Sequence, residues 1–277
     1  RGTVSWVLLM SLGVAYVISG DFSGWNYGIA HGGWFGMLIA FLVMGAMYLF
    51  MVLGLAEMSS AMPTAGAGYG FARRAMGKVG GALTGFAILI EYTICPAAIS
   101  TFIAAYVQAL GIFPDVPSAA IIGVFFIVFV GIHLIGVGEA LKIIFGITAI
   151  AVVALIAFFV GIAPHFEFSN LFNITPTATD GSTLLPFGAA GVISALPFGI
   201  WLFLAIEGVP LAAEESANPK RDMPKGIIGA MLVLVVFGAL VLFLTAGGAG
   251  AGFAGEASAP LVDALNEVGE GSLATFV

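Results

Sequence analysis

The sequence predicts an all-α polytopic membrane protein with about seven transmembrane helices. Hydrophobic residues make up 61% of the chain and charged residues only 8%, a balance that ordinary soluble domains do not have. The apolar residues come in runs of about twenty, which is the length that an α-helix needs to cross ~30 Å of hydrocarbon. The runs also lack the alternation of apolar and polar residues that is typical of a membrane β-barrel.

The basic residues are distributed unevenly between the predicted spans. We predict these spans at residues 4–31, 34–56, 81–111, 118–137, 143–163, 186–212 and 226–247. If the N-terminus is cytoplasmic, every lysine and arginine falls on that side: Arg1, Arg73, Arg74, Lys78, Lys142, Lys220, Arg221 and Lys225. The opposite loops carry acidic residues instead. This positive-inside asymmetry supports the seven spans and predicts a multi-pass protein of the plasma (inner) membrane, with the N-terminus and basic loops in the cytoplasm.

The first and sixth spans are interrupted by residues that weaken helices. The first contains "SGDFSGWNYG", with Asp21 among glycines and serines, and the sixth contains "LPFGIWLFLAIEGVP", which includes Pro197 and Pro210. Glycine and proline both disfavour a continuous helix. In a bilayer an unwound backbone must be buried in protein or line a cavity, so we expect both breaks to face the interior of the helix bundle.

The two breaks lie five spans apart, which is the spacing expected if spans 1–5 and 6–10 form inverted repeats. Because the chain has only two spans of the second unit and little polar sequence at either end, we expect it to be a fragment. The predicted organisation is a first five-helix repeat at 1–163, an extracellular loop at 164–185, the first two helices of the second repeat at 186–247, and an extracellular loop at 248–277 that leads to a missing eighth span.

Spans one, three and six each hold a single carboxylate. These residues are Asp21, Glu91 and Glu207, respectively. Broken helices expose free N–H and C=O groups near mid-membrane, and such groups bind solutes or ions. An unpaired charge there costs at least ~2.5–3.5 kcal/mol, so something must offset Asp21. The pattern predicts a cationic ligand at the first break, in particular an ammonium group, and the alternative is that Asp21 caps a half-helix.

Three stretches resemble one transporter superfamily. Residues 55–77 read "LAEMSSAMPTAGAGYGFARRAMG", and residues 201–227 read "WLFLAIEGVPLAAEESANPKRDMPKGI". Both resemble the amino acid–polyamine–organocation (APC) superfamily. The first-span stretch "SGDFSGWNYGIAHGGWFG" resembles the ethanolamine permease branch of that superfamily.

The resemblance implies the leucine-transporter-like inverted-repeat fold, truncated here, with helices 1 and 6 broken and alternating access around a site between them. It implies that Ser19, Gly20, Ser23 and Gly24 hold the polar end of a substrate, and that Trp201 closes over it. Ala205 stands where many relatives have glycine, so we expect a less sharp break in span six. The predicted substrate-binding residues are Ser19, Gly20, Asp21, Ser23, Gly24, Trp25, Glu91, Trp201, Ala205 and Glu207, and those for gating or coupling are Trp201, Glu207, Glu214 and Glu215.

Charge favours a small amine, most of all ethanolamine, as the imported substrate. Asp21 would pair with the ammonium group and repel the carboxylate of an amino acid, while Trp25 or Trp201 would stack on the cation. The alternative is an amino-acid permease of the same superfamily. In either case we expect coupling to a proton or to an exchanged solute.

Several residues have structural alternatives. Glu91 and Glu207 could tie helices together, Trp201 could be a core aromatic, and Trp25 could lie at the membrane interface. Glu214 or Glu215 could form a charged gate with Arg73 or Arg74, or be solvated loop residues. We predict no enzymatic activity, cofactor, metal or nucleic-acid partner, because Cys95 is the single cysteine and the three histidines are scattered. The oligomeric state stays open.

Overall fold

A computed structural model describes residues 4–111, 113, 115–135 and 137–277, without the side chains of residues 135 and 137–142. Arg1 and the side chain of Lys142, which entered the topology argument, lie outside this part. The helices in it are α1 Trp6–Val17, α2 Ser19–Phe22, α3 Asn26–Ala61, α4 Ala67–Ala109, α5 Ser118–Ile135, α6 Val137–Ile162, α7 Gly188–Trp201, α8 Pro219–Ala249, α9 Ala251–Glu256, α10 Pro260–Glu267 and α11 Gly271–Ala274. Three segments form 3-10 helices: Ala163–His165, Phe168–Phe172 and Ile206–Glu215.

Five helical segments of the described chain are long and apolar enough to cross a membrane. They are Asn26–Ala61, Ala67–Ala109, Ile143–His165, Gly188–Glu215 and Pro219–Ala249. Two shorter apolar helices, Trp6–Val17 and Ser118–Leu134, correspond to parts of the first and fourth predicted spans. The prediction of an all-α polytopic membrane protein is confirmed.

The first span is broken where the sequence predicts it. Helix α1 ends at Val17, and the short helix α2 ends at Phe22. Ser23 is then extended, with φ −160° and ψ 163°, and Gly24 has φ 101°, a conformation that favours glycine. The chain becomes helical again at Asn26, so the break occupies the Gly- and Ser-rich stretch.

A second glycine separates the first span from the second. Gly33 lies within α3 but has φ 71° and ψ 170°, so the helix axis changes direction there. Pro186 packs against it so closely that a Cβ at Gly33 would lie 2.6 Å from Pro186 Cδ. Both the backbone angle and this contact therefore require glycine at the boundary between the predicted spans.

The sixth span is broken sharply, so the expectation of a milder break at Ala205 is wrong. Helix α7 ends at Trp201, and Ala205 has φ 79° and ψ 0°, in the left-handed region. The chain continues from Ile206 as a 3-10 helix. Phe203 and Ile206 on either side are fully buried, so packing holds the turn although alanine disfavours it.

The chain forms two compact units. The first consists of Arg1–Val17, Ala46–Ile99 and Phe203–Val235, and the second of Ile18–Gly45, Ser100–Leu202 and Val236–Val277. Each unit has its own apolar core, in which Leu9, Val209 and Leu234 are fully buried in the first and Trp25, Phe158 and Leu261 in the second. The boundaries of the inverted repeats stay a prediction.

The left-handed Ala205 generates a stability prediction. Replacing Ala205 with glycine removes a steric clash of about 1 kcal/mol, so we expect the variant to be more stable by about that amount when unfolded in mixed micelles. The matched control is Ala190→Gly, because Ala190 is an exposed residue of helix α7, and there glycine should cost roughly 0.5–1 kcal/mol. Equal losses of stability in both variants would contradict the strain at Ala205.

Candidate functional site

Three consecutive backbone carbonyls of the first-span break accept hydrogen bonds from aromatic side chains. The donor–acceptor pairs are Trp25 Nε1 to Asp21 O at 3.0 Å, Tyr106 Oη to Phe22 O, and Trp201 Nε1 to Ser23 O at 2.8 Å. All of these residues belong to the second unit. Since a buried carbonyl without a partner is destabilising, these aromatic donors stabilise the break.

Asn26 fixes the other side of the break. Its Oδ1 accepts the N–H of Gly24 at 3.1 Å, and its Nδ2 donates to Ala254 O at 3.1 Å and Ala257 O at 2.9 Å. Asn26 is fully buried. Asn26 and Tyr106 were not among the predicted site residues, because their partners are distant in the chain: 228 and 231 positions for Asn26, and 84 positions for Tyr106 and Phe22.

Trp201 covers the break directly. A Cβ at Gly24 would lie 2.5 Å from Trp201 Nε1, and a Cβ at Gly20 would lie 2.8 Å from Trp201 O. The two glycines therefore allow the aromatic residue to approach the unwound backbone. Phe102 supports the indole from the side, with ring centroids 5.7 Å apart in an edge-to-face arrangement.

Asp21 is fully buried. Neither carboxyl oxygen has a hydrogen-bond partner among the described residues, so the structure gives no support for a capping role. A Cβ at Gly238 would lie 3.7 Å from Asp21 Oδ1, 3.7 Å from Leu202 Cδ2 and 3.0 Å from Phe41 Cε2. The carboxyl group thus lies near Gly238 of helix α8.

The other predicted residues near the break differ in exposure. Ser23 is buried, and its hydroxyl has no partner among the described residues. Trp25 is fully buried, which places its indole in the interior of the second unit and not at its surface. Ser19 is half-buried. The Ser23 hydroxyl is therefore a polar group without a described hydrogen-bond partner, next to the Ser23 carbonyl that accepts the Trp201 N–H.

The first unit contains a pair of carboxyl groups. The side chains of Glu91 and Glu207 interact with each other and with the phenol groups of Tyr48 and Tyr92. Glu91 Oε1 and both carboxyl oxygens of Glu207 are buried without a well-formed hydrogen bond to any described residue. Two carboxylates that face each other repel when both are ionised.

The two predicted gate acids contact backbone groups in the first unit. Glu214 Oε1 accepts the N–H of Ala65 at 2.8 Å, and the backbone carbonyl of Glu215 accepts the N–H of Val4 at 2.9 Å. Arg73 donates to Tyr69 Oη at 3.1 Å. In this conformation the described partner of the Glu214 carboxyl group is the Ala65 N–H. A charged gate with Arg73 or Arg74 stays a prediction.

The predicted site residues thus fall into two groups. The second unit contains Ser19, Gly20, Asp21, Ser23, Gly24, Trp25 and Trp201, and the first contains Glu91, Ala205, Glu207, Glu214 and Glu215. In the described part of the chain, no group of three or more His, Cys, Asp and Glu side chains could hold a metal ion.

A break in span one that is covered by an aromatic residue of span six fits the predicted superfamily, and a family comparison decides the matter. The model of the amino acid permease family matches residues 7–269. The chain belongs to this family. The APC assignment is therefore confirmed, whereas the match does not identify the ethanolamine permease branch.

Individual relatives of this amino acid permease chain differ in what their names describe. It is 27% identical over 272 residues to an uncharacterized transporter of Rhizobium meliloti, covering 95% of this chain and 56% of that protein. It is 28% identical over 218 residues to a branched-chain amino acid permease of Bacillus subtilis, covering 73% and 45%. It is 27% identical over 250 residues to a methylthioribose transporter of Bacillus subtilis, covering 83% and 50%. The chain spans about half the length of the curated relatives it matches.

Asn26 yields a prediction for the stability of the break. Asn26→Ala leaves the Gly24 N–H and the carbonyls of Ala254 and Ala257 without this partner. Since each unsatisfied buried group costs about 1–3 kcal/mol, we expect a loss of at least about 2 kcal/mol in mixed-micelle unfolding. The control is Asn266→Ala, an exposed site, with an expected change within about 0.5 kcal/mol. Similar values for the two variants would show that the Asn26 hydrogen bonds do not hold the break.

Proposed function

We propose that this chain forms the first part of a secondary active transporter that imports amino acids by alternating access. The membership of the amino acid permease family and the two broken spans support this function. The relatives include a branched-chain amino acid permease, of which this chain covers 45%.

The observation that carries the proposal is the position of Trp201. Its indole N–H donates to the Ser23 carbonyl at 2.8 Å, and its ring covers Gly20 and Gly24. A substrate amino group needs carbonyl acceptors of this kind, and free N–H groups of a broken helix suit a carboxylate. In our proposal, movement of Trp201 frees the Ser23 carbonyl and hydroxyl for the substrate, and its return closes the site.

An amino acid is better supported than ethanolamine as the substrate. The ethanolamine prediction depends on Asp21 presenting a negative charge to an ammonium group. In the structure, Asp21 is fully buried and its carboxyl oxygens have no hydrogen-bond partner among the described residues, which does not favour an exposed negative charge. One relative is named as a branched-chain amino acid permease, which favours the amino-acid alternative. Another is named as a methylthioribose transporter, so related proteins are also named for other solutes.

A proton or an exchanged solute would drive the transport. The carboxyl pair of Glu91 and Glu207 in the first unit is one place where a proton could be held, which agrees with the coupling role predicted for Glu207. Among the described residues of the first unit that interact with the pair, Tyr48 and Tyr92 are phenols and Cys95 is a thiol, and none of the three carries a positive charge.

A competition panel tests the substrate class in proteoliposomes that contain the full-length transporter. Uptake of labelled leucine and labelled ethanolamine is measured against ethanolamine, choline, and neutral, cationic and anionic amino acids. We expect leucine uptake to saturate and neutral amino acids to compete with it, while ethanolamine and choline do not. Uptake of ethanolamine that neutral amino acids fail to inhibit would reject the amino-acid proposal and favour the ethanolamine prediction.

The Trp201 hydrogen bond gives a kinetic prediction. Trp201→Phe retains an aromatic ring but removes the N–H donor, which contributes about 0.5–1.5 kcal/mol to the closed arrangement. We expect leucine counterflow to slow by about two- to tenfold, since about 1.4 kcal/mol corresponds to a factor of ten.

The matched control for this variant is Trp34→Phe. Trp34 is also buried in the second unit, and its Nε1 donates to Leu242 O at 3.1 Å. It should lose similar stability yet keep the rate of counterflow. Equal slowing in both variants would indicate a general packing effect and would remove the gating role from Trp201.

A further inference from the structure

We propose that Asp21 is a proton-binding site, where the carboxyl group is neutral in this conformation and exchanges its proton with water when the first-span break opens. This inference deepens the proposed function, on which its transport role rests. The protonation of Asp21 stands on the structure of the second unit alone.

Burial and missing partners are the first part of the argument. Asp21 has no exposed surface, and neither of its carboxyl oxygens accepts a hydrogen bond from a described residue. By contrast, Asp222 is almost as buried, at 7% exposure, but its Oδ2 accepts the N–H of Asn218 at 3.2 Å. An ionised carboxylate without a partner in apolar surroundings is unstable, and such a group becomes neutral by taking up a proton.

The neighbours of Asp21 are the second part. Asp21 Oδ1 lies 3.7 Å from the position that a Cβ would take at Gly238 of helix α8, a position that Phe41 of helix α3 and Leu202, just after helix α7, also approach. Neither carboxyl oxygen has a hydrogen-bond partner among the described residues, so no described basic side chain bonds to the group. The neutral form is therefore the one that the described surroundings accommodate.

The same neighbours distinguish a proton from other cations. A metal ion requires several oxygen ligands, and an ammonium group has three N–H donors to satisfy. No described group pairs with the carboxyl oxygens of Asp21, whereas a proton needs only the carboxyl oxygen itself. The site thus fits a proton better than the substrate ammonium that the sequence predicted for Asp21.

A neutral Asp21 also removes an obstacle to amino-acid transport. Ionised, it would repel a substrate carboxylate at the break, but protonated it does not. In the transport cycle, the carboxylate takes a proton from water on one side of the membrane and the carboxylic acid returns it to water on the other side. The proton and the amino acid would then cross together.

Infrared spectroscopy tests the protonation without any substrate. In the purified full-length protein at neutral pH, we expect a neutral-carboxyl C=O band that is lost in Asp21→Asn and retained in Asp222→Asn. Gly238→Ala, which places a methyl group 3.7 Å from Asp21 Oδ1, should shift the same band while keeping the carboxyl group. A band unchanged by both Asp21→Asn and Gly238→Ala would overturn the proposal.

Transport by Asp21→Asn tests the coupling. We expect accumulation of leucine driven by a pH gradient to fall to the passive leak, while counterflow without a gradient persists, and Asp222→Asn to behave as wild type. Loss of both activities in Asp21→Asn would indicate substrate binding or a structural role, and retention of both would show that another group carries the proton. If the wild-type protein shows no leucine counterflow, the proposed function fails, while the infrared bands still decide the protonation of Asp21.

Discussion

The structure depends on satisfying the backbone of a helix that is interrupted inside a membrane. Water is not available there to pair with free carbonyl and N–H groups, so protein groups must do so. In this chain the partners are mostly aromatic: Trp25, Tyr106 and Trp201 donate to consecutive carbonyls of the first-span break. A side chain that satisfies the backbone in one conformation can leave in another, and our proposal for Trp201 rests on this property.

Acidic residues occupy two different environments in the two units. In the second unit, Asp21 is fully buried without a hydrogen-bond partner among the described residues. In the first, the side chains of Glu91 and Glu207 interact, with Tyr48 and Tyr92 nearby. We propose proton binding in both settings, which rest on different physics: burial of an unpaired carboxyl group in one, and repulsion between like charges in the other.

Composition and local pattern predicted the helical class, most of the spans and the position of both breaks, because hydrophobic length and Gly or Pro content act locally. Partners that are distant in sequence were not predictable. Asn26 bonds to Ala254 and Ala257, and no periodicity indicates such contacts. At Ala205 a local preference gave the wrong expectation. Alanine in place of glycine predicted a mild break, but tertiary packing holds a left-handed turn there. The ethanolamine prediction relied on the negative charge of Asp21, and the surroundings of that side chain depend on the tertiary structure.

The indole of Trp201 also gives the protein an intrinsic optical reporter. The chain has four tryptophans, and Trp25 and Trp34 are buried, with their own carbonyl partners. When the hydrogen-bond partner of an indole N–H changes from a carbonyl to water, the environment of the excited indole becomes more polar. If Trp201 moves as we propose, its emission would report the uncovering of Gly20 and Gly24 in real time, without any attached dye.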